Sequence, residues 1–158
     1  MSVAFEDPTY LESVYAALFA LLQAAALPNG IAFQTMQRTA LVPSVIPPAS
    51  QPALLLLPGP IRVEQTKFSL PRWIFTAVAV VYLRGDAQQI NQVPLPSATV
   101  NYVIWGLASA LQTTPPNAKQ TLGGLVYHCW IEGEIFPDIN GQQIVLTIPI
   151  HMLAGNVG

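Results

Sequence analysis

The chain has 158 residues, enough to bury a hydrophobic core without disulfides or metals, and we expect a single domain spanning residues 1–158. Only 9% of the residues are charged and 52% are apolar, whereas about a quarter of a typical soluble domain is charged. A chain with so little charge needs cover for its surface, either from a membrane or from other protein surfaces.

The membrane explanation fails on length. The longest apolar stretch, residues 13–27, is interrupted by Gln23 and ended by Pro28, so it falls short of the roughly 20 residues that a spanning helix needs. A signal peptide would place Lys or Arg before this stretch, but the charged residues there are acidic: Glu6, Asp7 and Glu12. We therefore expect a protein made in the cytoplasm and not inserted in a membrane.

The net charge and the cysteine content exclude further classes of protein and of binding site. A formal net charge of -2 provides no basic field for wrapping nucleic acid. The single cysteine, Cys129, excludes an intramolecular disulfide and a zinc site built from several cysteines. Covering protein surfaces remain the better explanation of the low charge.

The first half of the chain predicts one helix followed by strands. Leucines at helical spacing indicate a helix over residues 7–26, capped by Asp7 or Thr9. Residues 31–38, 53–57 and 61–67 predict strands, the last two separated by Pro58-Gly59-Pro60. Residues 73–83 are apolar at both alternating sets of positions, which predicts a central strand covered on both faces.

A proline-rich segment interrupts this series. Residues 43–52 contain four prolines and no charge, so neither a helix nor a central strand is expected there. Its apolar side chains favour an ordered, extended loop that lies against another surface, and it could dock on a neighbouring subunit. The candidate interface residues in this loop are Pro43, Val45, Ile46 and Pro47.

The second half predicts a helix over residues 97–112, capped by Ser97, and then a long hairpin over residues 121–153. Asn140-Gly141 is the pair that best suits a two-residue turn, and it would place Ile139 opposite Gln142. Counting outward from that turn gives an apolar face, with Ile131 opposite Ile150, Gly133 opposite Ile148 and Ile135 opposite Leu146. The other face would be mixed, with Trp130 opposite His151, Glu132 opposite Pro149, Glu134 opposite Thr147 and Phe136 opposite Val145.

These elements predict an α+β fold: a mostly antiparallel sheet with two helices packed on it and a long C-terminal β-hairpin. The apolar hairpin face, including Cys129, is assigned to the core. Pro149 lacks an N–H for the ladder, so an edge strand is expected there.

No recognisable catalytic site emerges, and no cofactor or metal is expected. His128 and Cys129 are neighbours on a strand, so their side chains point to opposite faces and cannot form a nucleophile and base pair. The mixed face also carries the candidate residues for a metal or small-ligand site, although such residues are common on a half-exposed strand: His128, His151, Glu132 and Glu134. We interpret the mixed face as an interface instead, with Trp130, Glu132, Glu134, Phe136 and Pro149 as its candidate residues.

Several segments occur in an order shared with one family. They are the proline-rich loop before QPALLLL at residues 51–57, the central strand at 73–83, TLGG at 121–124, V-x-H-x-x-I-x-G-x-I at 126–135 and IPI at 148–150. In order and spacing the chain resembles the tail terminator, or tail completion, proteins of long-tailed bacteriophages.

The resemblance implies a non-enzymatic virion protein at the tail-neck junction. Such proteins form a homo-oligomeric ring, typically a hexamer, that caps the tail tube protein, stops its polymerisation and provides a docking surface for the head-neck connector protein. Genome DNA would pass through the pore without specific binding. A head-tail joining subunit or a tube-related ring subunit is the alternative within virion proteins, and a small-ligand binding domain or an enzyme is the alternative outside them.

Overall fold

The computed structural model describes residues 8–65, 67, 71–84, 96–112, 118–140 and 143–154. Two helices and a six-stranded, mostly antiparallel sheet confirm the α+β prediction. The first helix, α1, spans Tyr10–Gln23, and the second, α2, spans Pro96–Ala110. In those parts of the chain no helix is long and apolar enough to cross a membrane.

Both helices differ slightly from the predicted bounds. Thr9 is the N-cap of α1, but its side chain makes no capping hydrogen bond, and Asp7 lies outside the described residues. α2 begins at Pro96, one residue before the predicted cap Ser97.

The strands are β1 (Thr35–Gln37), β2 (Ala53–Glu64), β3 (Arg72–Arg84), β4 (Val126–Ile131), β5 (Phe136–Asn140) and β6 (Gln143–Ala154). Their order in the sheet is β1-β2-β3-β6-β4, and β5 also pairs with β6. Only the β1-β2 pair is parallel.

β2 is one strand where the sequence predicted two. Pro58-Gly59-Pro60 does not end it, because the pairing with β3 shifts register between Pro58 and Ile61 and continues to Glu64. This bulge accommodates the prolines, which cannot donate to the ladder. The strand predicted over residues 31–38 is shorter than expected, with only Thr35–Gln37 paired.

The core lies between the helices and one face of the sheet. It brings Val14, Leu18 and Leu107 of the helices against buried strand residues such as Val81 and Ile148. Every second residue of β6 from Ile144 to Ala154 is buried, which is the alternation expected of a strand with one covered face. Cys129 belongs to this face and is 2% exposed, as predicted.

The proline-rich loop covers one end of the opposite face. It forms two short 3₁₀ turns, Pro43–Val45 and Pro48–Ser50, and packs Ile46 against Ala53, Leu55 and Tyr82. Such an ordered loop was expected, but β3 is not covered on both faces along its whole length. Thr76, Val78 and Val80 remain half-exposed.

The hairpin prediction is right near its base and wrong near its tip. Trp130 lies opposite His151 and Ile131 opposite Ile150, as predicted. Phe136, however, lies opposite Thr147 and Ile139 opposite Ile144, a shift of two residues, so the pairs predicted for residues 132–136 and 139 are wrong. Asn140 is the last residue of β5 and pairs with Gln143, so the turn position predicted for Asn140 is wrong; residues 141 and 142 lie outside the described residues.

Pro149 lies beside the break between β4 and β5. Residues 132–135 do not pair with β6, and Gly133 has a φ of +105°. Pro149 has no N–H to donate to a neighbouring strand, which weakens the ladder at this position. The prediction of an edge strand at Pro149 is wrong, because β3 lies on one side of β6 and β4 and β5 lie on the other.

Candidate interaction surface

The largest candidate surface is the face of the sheet that carries no helix, here called the open face. Register aligns its side chains in rows across the strands, with Leu57, Val78 and Pro149 in one row and Thr76, His151 and Trp130 in the next. All of these side chains are half-exposed, and none is a carboxylate, Lys or Arg. Val80, Thr147 and Leu153 also lie on this face, and the same register places charged residues at its borders: Arg62, Glu64 and Arg72 at one end and Asp138 at the other.

Trp130 is the centre of an aromatic stack on this face. Its ring stacks on the imidazoles of both His128 and His151, with centroid distances of 5.0 Å and 5.8 Å. The Trp130 Nε1 donates to Glu132 Oε2 at 3.1 Å. The stack fixes the orientation of a large, half-exposed side chain, which is the property of an anchor at a protein interface.

The metal-binding alternative requires His128 and His151 to converge with carboxylates on one ion. No group of three or more His, Cys, Asp and Glu side chains could hold a metal among the residues that the structure describes. His128 Nδ1 is buried without a hydrogen-bond partner in those residues, and burial, followed by the charge of Lys119, lowers the pKa of His128.

Cys129 provides no reactive group either. Its thiol is buried beneath the helices, and burial raises its pKa to about 12. It therefore stays protonated at neutral pH and is a poor nucleophile.

Beyond the stack, the hairpin presents exposed residues along its outer strand. Glu132, Glu134 and Phe136 are all exposed, Phe136 to 61%. All five residues of β5 are exposed, because β5 extends past the helices and pairs only with β6 in the described chain. The predicted interface residues of the hairpin therefore lie at the open face or its border.

The candidate interface residues of the proline-rich loop differ in their exposure. Val45 is 59% exposed and Pro47 is exposed, while Pro43 is half-exposed. Ile46 is only 5% exposed, because it anchors the loop on the chain's own sheet. It must be removed from the candidate surface: its side chain already has its partners within the monomer.

No protein-family model matches the chain, and a search of curated proteins finds no significant match.

Sequence reasoning missed several exposed apolar side chains. Ile139 is 68% exposed, and Ile61 and Val63 of β2 are 47% and 46% exposed. Ile61 and Val63 alternate with Arg62 and Glu64, which is the pattern of a covered strand. The pattern could not show that this end of the β2-β3 pair extends past the helices.

Proposed function

We propose that the chain is a structural assembly protein of the tail terminator type, which forms a ring on the end of a phage tail tube and acts by surface complementarity. The observation that carries the proposal is the centre of the open face, where half-exposed side chains, none of them a carboxylate, Lys or Arg, line the side of the sheet that neither described helix covers. A monomeric protein gains nothing from leaving such a surface in water.

Composition supports the same conclusion. A subunit that contacts two ring neighbours, the tube and the neck would bury several interfaces, each on the order of 1,000 Å² or more. A chain in which only 9% of residues are charged suits such extensive burial, since interface cores are depleted of charged residues.

The functional test is the growth of tail tubes. Adding the purified chain to polymerising tube protein should cap the tubes at one end and limit their length. Tubes that grow as long with the chain as without it, and whose ends carry no additional density, would contradict the proposal.

The alternative virion role is a head-tail joining or tube-related ring subunit. A terminator would lie between the tail tube and the neck, while a tube-related subunit would repeat along the tail. Gold labelling of the chain in intact particles separates them: one label site at the tail-neck junction supports the terminator, and labels along the tail support a tube subunit.

A further inference from the structure

Two segments of the chain carry half of its charges. Seven of its 14 charged residues lie in residues 61–72 and 132–140. The first segment has three basic residues and one acidic residue, and the second has three acidic residues and no basic one. In a chain with so little charge, two segments of opposite sign require a physical explanation.

The acidic edge, residues 132–140, borders the sheet on the β6 side. Glu134 and Asp138 are exposed, and neither forms an ion pair with any residue that the structure describes. Phe136 and Ile139 are exposed on opposite faces of the same strand, to 61% and 68%.

The basic corner, formed by residues 61–64 and 72, lies at the other edge of the sheet. Arg62 and Arg72 are exposed, and Arg62 pairs with Glu64 at 2.6 Å. Ile61 and Val63 are about half-exposed and point to the helix side of the sheet, opposite Phe75 and Trp73. The two surfaces thus share one design, a net charge of one sign beside exposed apolar side chains.

Both surfaces are also unpaired strand edges in the described chain. β1 pairs only with Ala53, Leu54 and Leu55, so the outer side of β2 from Leu56 to Glu64 has no strand beside it. β5 has β6 on one side only. Pro58, Pro60 and Pro137 lie in these two edges and interrupt their rows of N–H donors, which limits indiscriminate strand addition. Recognition at these edges must therefore come mainly from side chains.

We infer that the acidic edge of one copy binds the basic corner of the next copy of this chain. This inference rests on the proposed function and specifies the contact between ring neighbours. The two surfaces lie at opposite edges of one sheet, so the contact is head-to-tail and can repeat from subunit to subunit until the ring closes. Opposite charges set the register, and the four apolar side chains supply buried area.

Charge reversal tests the pairing. In one variant, Glu134→Lys and Asp138→Lys make the acidic edge basic; in the other, Arg62→Glu and Arg72→Glu make the basic corner acidic. Each variant alone would bring like charges together at every contact. We expect each to self-associate on the order of a hundredfold more weakly than the wild type, measured by sedimentation velocity in about 50 mM salt.

Mixing supplies the decisive result. In an equimolar mixture, the basic edge of the first variant meets the acidic corner of the second variant. The unchanged acidic edge of the second variant meets the unchanged basic corner of the first, so alternating rings should form. Restored assembly shows that both variants fold and that these two surfaces meet. The control, Ala20→Lys with Gln23→Lys, adds two lysines at exposed positions of α1 and should assemble as the wild type does.

Three results would overturn the inference. Variants that assemble like the wild type, or folded variants that fail to assemble when mixed, would show that the surfaces do not meet, and the proposed function would stand without them. A wild-type chain that stays monomeric would overturn the inference and the proposed function together.

Discussion

Trp130 is the residue at which stability and assembly can be separated. Replacing Trp130 with Ala removes the stack with both imidazoles and the hydrogen bond to Glu132. The core side of β4 is formed by Cys129, so the monomer should stay folded and lose only about 1 kcal/mol of unfolding free energy. Self-association should weaken about tenfold or more.

Denaturation and sedimentation measure the two effects. Trp105→Ala is the matched control, because Trp105 is 60% exposed on α2 and away from the open face. Loss of the fold in the Trp130 variant, or equal assembly by both variants, would contradict the role given to Trp130.

His128 gives the chain a pH dependence with a defined sign. Its pKa is lowered from the ordinary value of 6.5, first by burial and then by Lys119. The unfolded chain therefore binds more protons than the folded chain near that pH, and stability falls as the pH drops below it. His128→Phe keeps a ring beside Trp130 and should flatten this dependence, measured as the urea midpoint across the pH range; an unchanged slope would exclude His128 as its source.

At the scale of elements, the proline-rich loop is held by one side chain. Ile46→Ala should cost about 2–4 kcal/mol of unfolding free energy, because Ile46 is 5% exposed in a packed cluster. Val45→Ala should change it by less than about 0.5 kcal/mol, since Val45 is 59% exposed. Chemical denaturation compares the two, and equal effects would mean that the loop is anchored elsewhere.

The break between β4 and β5 depends on a glycine. Gly133 has a φ of +105°, and an added Cβ would lie 3.3 Å from Pro149 Cγ. Gly133→Ala should therefore destabilise the fold by about 1–3 kcal/mol. Glu134→Ala, an exposed neighbour in the same break, should leave the melting temperature nearly unchanged; a Gly133 variant as stable as this control would show that the break is not constrained.

These elements also mark where prediction from sequence succeeds. Alternation along residues 126–131 and 143–154 was enough to assign the two hairpin faces, because a shift of two residues preserves the face on which each side chain lies. It was not enough to give the register at the tip. Two extra residues beside Pro149 are absorbed in the break, and a count outward from the turn cannot detect them.

At the scale of the whole molecule, composition indicated that surface would be covered but not where. A fully apolar β3 predicted cover on both faces, whereas on the second face Thr76, Val78 and Val80 are half-exposed between the buried Ile74 and Tyr82. Which strands project past the helices is a tertiary property, so the exposure of Ile61, Val63 and Ile139 could not be read from local pattern.

The rate of ring assembly should depend on salt. If ring neighbours meet through an acidic edge and a basic corner, added salt should slow assembly more than it destabilises the closed ring, because exposed charges steer the encounter while apolar contacts hold the product. Light scattering after dilution from a dissociating condition measures the rate. A rate that is independent of salt would contradict a charged contact.

The central claim is that this chain is a subunit of a closed ring. Native mass measurement and electron microscopy of the full chain at micromolar concentration, alone and with tail-tube rings, test it most directly. We expect one closed assembly, with six copies as the number that the resemblance implies, and a central hole wide enough for DNA. A chain that remains monomeric in both conditions would contradict it.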